Sequence, residues 1–258
     1  MGSAYLKDYI ENAEFYLKKM IPALTRGELD RRGIQEMCTA FRQRGLCSLL
    51  LYGVGEPFYL NMMESGGAFL YYLQGAADEH KVTSQVKPFF DTIGGGFWDC
   101  AKAIAHHSRM TWNRDYEYDD DFLYVLFLMK HFFLEASDEE CETIISLHGK
   151  VSEGADEERR DICKAFLTTD NDLFEEKIHY LLEQRAEQVE KMIARDALPE
   201  EVWAWLRYFS SEGLALLRLA ERKGFNIEEV YLHIPASVRP ESPFSFNPDA
   251  WRNLNYGQ

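Results

Sequence analysis

Histidine, cysteine and carboxylate side chains carry most protein chemistry, and their spacing decides which chemistry is open. His106 and His107 are adjacent in the chain. Neighbouring helical positions point about 100° apart, so the two imidazoles cannot ligate one ion from the same regular helix. A buried imidazole beside a solvent-facing one is expected there instead, and Cys100 lies off that face as well. The five cysteines (Cys38, Cys47, Cys100, Cys141 and Cys163) are odd in number and widely spread, with no CxxC and no Cys/His cluster at zinc spacing. Buried thiols in a reducing compartment follow from that pattern. The carboxylate pairs Glu139/Glu140, Glu157/Glu158, Glu175/Glu176 and Glu200/Glu201 read as solvated helix faces and first-turn partners of helix dipoles. Acid–base work needs one carboxyl of such a pair buried and shifted upward. GVGEP at Gly53–Pro57 and Gly94-Gly95-Gly96 lack phosphate-cradling spacing, and no GxSxG or HExxH occurs. His131, His148, His179 and His233 are scattered over different stretches. The expectation is a protein that is not an enzyme and holds no cofactor and no metal.

Recognition is the chemistry that remains, and residues 109–135 offer it. Their sequence is RMTWNRDYEYDDDFLYVLFLMKHFFLE, in which Asp115, Glu117, Asp119, Asp120 and Asp121 interleave with Trp112, Tyr116 and Tyr118. The run continues into residues 122–134, which are apolar enough to demand a core helix. Carboxylates and aromatics held on a buried helix would present a surface to a positively charged partner. These eight residues are the candidate partner-binding set. Asp119, Asp120 and Asp121 also sit where a helix N-terminus favours negative charge, which competes with a contact role. Residues 112–118 come ahead of any cap requirement and form the sharper target. Neutralising the three consecutive aspartates together is expected to slow association and flatten its salt dependence.

Charge supports that kind of partner. The 258 residues carry a formal charge of −15, and residues 111–161 hold fifteen carboxylates against five Lys and Arg. That balance argues against nucleic acid or an anionic membrane as the direct partner and admits a basic protein. No apolar run reaches the ~20 residues needed to cross a bilayer. The opening MGSAYLKDYIENAEF has no basic segment leading into an apolar one, so a cytoplasmic location is expected.

The elements that must position these residues are helices. Hydrophobic content of 46% supports a large core. The periodicity predicts an all-α domain of about nine packed helices over residues 1–234, with a soft division near 81–96. A proline-rich extended tail is expected over 235–258, where prolines fall at 235, 240, 243 and 248. Ser3 is the expected cap of a first helix whose inward stripe is Tyr5, Tyr9, Ala13, Tyr16 and Met20. Gly45 is expected to break or bend the second helix. Residues 81–90, with Val82, Val86 and Phe89 alternating around Pro88, read as a short extended connection. Ser137 with Glu140 forms a capping box, residues 155–166 a helix, and Thr169-Asp170-Asn171-Asp172 caps a long helix over 173–195. Pro199 opens a single helix that closes at Lys223-Gly224.

The last third has a distinctive order: Asp170-Asn-Asp-Leu-Phe-Glu-Glu, then Ser211-Glu-Gly-Leu-Ala-Leu-Leu-Arg-Leu-Ala-Glu-Arg-Lys-Gly, then Phe225-Asn-Ile-Glu and Tyr-Leu-His-Ile-Pro. Upstream come the segment bearing Trp98 and the aspartate-rich turn with its aromatic helix at 118–135. In order and rough spacing over residues 66–235, the chain resembles the immunity protein 49 family of bacterial polymorphic toxin systems. It departs from that pattern at Ile234, where the family often has leucine, and in the tail beyond residue 240. The resemblance implies an all-α protein that binds and neutralises a cognate toxin domain in the producer's cytoplasm. Two other readings stay open: a helical scaffold or adaptor for a peptide or housekeeping partner, and an α-helical enzyme using His106 and scattered acids.

Overall fold

Apolar side chains recurring every three or four residues set the helices, beginning with α1 (Leu6–Thr25). The computed structural model describes residues 4–152, 157–240 and 242–254, which contain eleven α-helices and no strand. The inward stripe of α1 is Leu6, Tyr9, Ala13, Leu17 and Leu24. This face is rotated from the expected one: Tyr5 is exposed, and Tyr16 and Met20 are half-buried. The leucines carry no hydroxyl to solvate, whereas Tyr16 keeps its OH near the surface, donating to Glu36 at 2.9 Å. Ser3 lies outside the described residues.

α2 (Arg31–Tyr52) starts at Asp30, whose carboxylate accepts from the Gly33 amide at 2.8 Å, and it passes through Gly45 without a break. A Cβ on Gly45 would stand 2.8 Å from the Asn61 Cβ of α3 (Glu56–Gly75). The glycine therefore serves close helix approach and not a bend. α1 and α3 flank α2 on either side.

Residues 81–90 are not an extended connection. Thr83–Gln85 forms a 3-10 turn and α4 (Lys87–Gly94) follows at once. Pro88 occupies the first turn of α4, where its missing N–H removes no intrahelical bond. Phe89, Phe90 and Ile93 then enter the core. α4 packs against α3, α5 (Trp98–His107) and α11 (Ser211–Lys223). One hydrophobic cluster runs from Leu6 to Trp251 and includes Val86, Phe89, Phe90 and Ile93, so residues 86–93 lie within the shared core.

The remaining helices are α6 (Asp119–Phe133), α7 (Asp138–Val151), α8 (Glu157–Thr168), α9 (Asn171–Ala194) and α10 (Glu200–Leu206). α6 packs on α7, and α8 on α9. Caps fall where the sequence places them: Ser137 accepts from Glu140, Asp170 accepts from Leu173, and Gly224 is left-handed with φ 86°. Residues 155 and 156 of the expected 155–166 helix lie outside the described residues. The helix expected to run unbroken from Pro199 to Lys223 is in fact α10 and α11. Ser210 splits them: its hydroxyl accepts from the Gly213 amide at 3.0 Å and its own amide donates to the His233 carbonyl at 2.9 Å.

Past Pro235 the chain is irregular, with 3-10 turns at Ala236–Val238 and Ala250–Arg252. Val238 and Trp251 are fully buried, and the Trp251 ring centroid lies 5.1 Å from that of Tyr71. No described helix is long and apolar enough to cross a membrane.

Candidate functional site

The segment joining α5 to α6 carries the predicted residues, and one buried carboxylate shapes it. Glu117 is 8% exposed. One of its oxygens accepts from the Asn113 amide at 2.9 Å, and the other accepts from the Ser84 amide at 2.7 Å. Asn113 closes a turn, its carbonyl accepting from the amides of Tyr116 and Glu117, while its side-chain amide donates to the carbonyls of Glu79 and Lys81 at 3.1 Å. The Trp112 indole donates to the Glu117 carbonyl at 3.0 Å. Residues 112–117 are thus fastened to residues 79–84. Glu117 is not part of an exposed acidic face; it holds the loop in shape.

Removing that carboxylate leaves two backbone amides without their acceptor. Glu117→Ala should cost about 2–6 kcal/mol of local stability, at about 1–3 kcal/mol per unsatisfied buried group. Amide exchange at Ser84 and Asn113 should accelerate, while Leu128 in the α6 core keeps its protection. Unchanged exchange at Ser84 and Asn113 would remove Glu117 from this role.

Around this anchor the other candidates separate. Tyr118 and Tyr116 stand out, 79% and 50% exposed, with Asp115 exposed beside them. They lie on either side of the inward Glu117, in a segment where residues 114–116 form a turn. Trp112 is half-buried and packs on the core. Two arginines lie over the aromatic faces: Arg31 is 4.7 Å from the Tyr116 centroid and Arg114 is 5.4 Å from that of Trp112. The surface is therefore acidic and aromatic with interleaved guanidinium groups, not uniformly negative. Asp119 and Asp120 are half-buried, and each accepts from the amide of the residue after it at the start of α6. Asp121 is ion-paired with Arg159 at 3.2 Å, and Arg159 also grips Glu212 at 2.8 and 2.9 Å. The three aspartates are largely engaged in starting and fixing α6.

Two clefts meet at this surface. One of about 630 Å³ is lined by Trp112, Asp115, Tyr118, Asp119, Arg31 and Gln85. Arg31 and Tyr116 also border a second, of about 880 Å³, that reaches Tyr71, Tyr72 and His80. The Arg31–Tyr116 stack forms the ridge between them, steadied by a short hydrogen bond from Arg31 to Gln85.

Elsewhere, His106 and His107 are both exposed, so neither is the buried imidazole expected. All five cysteines are buried, and burial pushes the Cys38 and Cys47 thiols up to about 12, away from thiolate chemistry. One grouping was missed from sequence: Glu175, His179 and Glu228 bring their ligand atoms within 4.8 Å of one another. The four-residue spacing of Glu175 and His179 was visible, but Glu228 arrives from a distant loop. No family model matches this chain, and neither do any curated protein or solved structure.

Proposed function

We propose that this chain is an immunity-type binding protein that captures and neutralises a cognate toxin domain in the producer's cytoplasm. The observation that carries the proposal is the pinned loop, which presents Tyr116, Tyr118 and Asp115 between two clefts. Aromatic side chains with few rotatable bonds make effective anchors, and a loop already fixed by Glu117 and Asn113 loses little entropy when a partner docks. The net charge of −15 steers a basic toxin surface towards the protein and raises the association rate. The resemblance to the immunity protein 49 family supplies the kind of partner.

Co-expression with a candidate toxin domain from a neighbouring gene tests the reading: growth should be rescued and the two proteins should co-purify. Because Asp121 is committed to Arg159, the informative charge variant is Asp115→Asn with Asp119→Asn and Asp120→Asn. It should slow association about tenfold at low salt and flatten the salt dependence, with dissociation little changed. Association unaffected in a variant that melts normally would move the interface elsewhere.

A helical adaptor for a peptide is the second reading. It is favoured by a groove of about 860 Å³ between α1, α2 and α10, lined by Phe15, Tyr16, Gln43 and Val202. Phe15 is 63% exposed at its edge. Retained toxin neutralisation in Phe15→Ser would separate this groove from the neutralising surface.

A further inference from the structure

Glu175 and His179 stand one turn apart on α9 and so share a face. The loop after α11 brings Glu228 to the same place. The His179 Nε2 atom lies 3.3 Å from a Glu228 oxygen and 3.7 Å from a Glu175 oxygen. An N–H···O hydrogen bond would close to about 2.7–3.2 Å. Ligands bound about 2.0–2.1 Å from a tetrahedral ion stand about 3.4 Å apart, which is close to both separations. We propose that Glu175, His179 and Glu228 form a binding site for a divalent transition-metal ion of the zinc class.

The donor set selects that class. One imidazole with two carboxylates suits a borderline ion such as Zn²⁺, whereas Mg²⁺ and Ca²⁺ favour oxygen ligands alone. Two carboxylates also balance the ion's double charge. Arg239 also approaches this loop, its guanidinium donating to the Glu228 carbonyl at 3.2 Å and pairing with Glu221 at 3.0 Å. Its charge is thereby already engaged.

The ligands are oriented before any ion arrives. The Tyr231 hydroxyl lies 2.6 and 2.9 Å from the two Glu175 oxygens and accepts from the Glu228 amide at 2.8 Å. It fixes one ligand's carboxylate and the other ligand's backbone together. A carboxylate offers about four lone-pair directions, so Glu175 can serve both the phenol and an ion. The Tyr231 ring stacks on His179 with centroids 5.1 Å apart. At the other end of the loop, the Asn226 amide donates to Asn171 at the start of α9 at 2.7 Å, and Phe225 packs on Phe174. Helix and loop are thus joined on both sides of the three ligands. Tyr231 takes the place of the outer-shell partner that orients ligands in metal centres. The fourth coordination position faces solvent, since Glu228 is 62% and His179 40% exposed. Water or a partner's side chain would fill it.

The site is independent of the proposed toxin surface and is tested on the isolated full-length protein. Untagged protein stripped with chelator is titrated with ZnCl₂ by calorimetry, and with Co²⁺ followed by visible absorption. The expected result is one equivalent of zinc bound at micromolar Kd or tighter, with the strong visible band of tetrahedral Co²⁺. His179→Gln and Glu228→Gln should each weaken zinc at least about 100-fold, and Tyr231→Phe about 10–100-fold as an outer-shell change. Melting of the metal-free variants verifies that the substitutions leave the fold intact, including that of the buried Tyr231. No stoichiometric uptake, or uptake that either His179→Gln or Glu228→Gln leaves unchanged, overturns the site.

Discussion

Asp91→Ala should destabilise this protein by about 3–5 kcal/mol, because it strands a buried guanidinium. Arg42 of α2 and Asp91 of α4 form a two-pronged pair at 2.8 and 2.6 Å, with side chains 4% and 0% exposed. The second carboxylate oxygen also accepts from the Ser65 hydroxyl of α3 at 2.7 Å. One carboxylate therefore ties three helices. With Asp91 gone, Arg42 keeps its charge in a buried site, and Ser65 loses its acceptor. The cost comes from the abandoned partner more than from the lost attraction. Arg42→Met combined with Asp91→Leu should therefore recover most of the stability, since apolar replacement of a whole buried pair is often close to neutral. Urea unfolding of the unsubstituted protein, Asp91→Ala and the double variant checks it. If Asp91→Ala shifted the midpoint by no more than a surface substitution does, the buried pair would contribute little.

That pair lies on the helix that sequence reasoning misread. Val82, Val86 and Phe89 step by four and then three, a helical spacing that the strand reading of residues 81–90 overlooks, and Pro88 reads as a breaker. In the fold, Pro88 sits in the only turn of α4 that tolerates it. Phe89, Phe90 and Ile93 continue the helical spacing, and packing against α3, α5 and α11 agrees with that local signal. Caps at Ser137, Asp170 and Gly224 were legible because each satisfies its own helix end through a local pattern. Ser210 makes the same local cap through the Gly213 amide, but its own amide is held by the His233 carbonyl, which lies beyond the end of α11, and that part was not legible.

The candidate site divides along the same line between local and long-range causes. Tyr116 and Tyr118 are exposed, as a contact role requires. The inward turn of Glu117 was not legible, because the Ser84 amide it binds lies in a different segment. Charge counting could not tell a carboxylate that contacts a partner from one that holds a loop. Glu228 was invisible for the same reason, as its companions lie on α9 and only the closed fold assembles them. A surface residue's role is set by what sits opposite it, and sequence distance hides that.

The second large effect is expected one residue along α4 from Asp91. Gly66 of α3 faces α4 so closely that an added Cβ would lie 2.0 Å from the Thr92 Cγ2 atom and 3.1 Å from the Cys100 sulfur. Thr92 is fully buried, and its hydroxyl donates to the Phe89 carbonyl at 2.7 Å. Its side chain cannot swing aside without losing that bond. Gly66→Ala gains about 1 kcal/mol of helix propensity, yet it forces α3 and α4 apart across a close-packed layer. The net loss should be roughly 2–4 kcal/mol by denaturant unfolding. Thr92→Ser keeps the hydroxyl, removes the obstructing methyl, and alone should cost on the order of 1 kcal/mol. In the double variant the new methyl occupies the space the old one left, so the pair should be at least about 1.5 kcal/mol more stable than additivity predicts. Cys100 then needs to yield only a few tenths of an ångström at its flexible end. Simple addition of the two losses would mean that Gly66 is there for some reason other than the approach of α3 to α4.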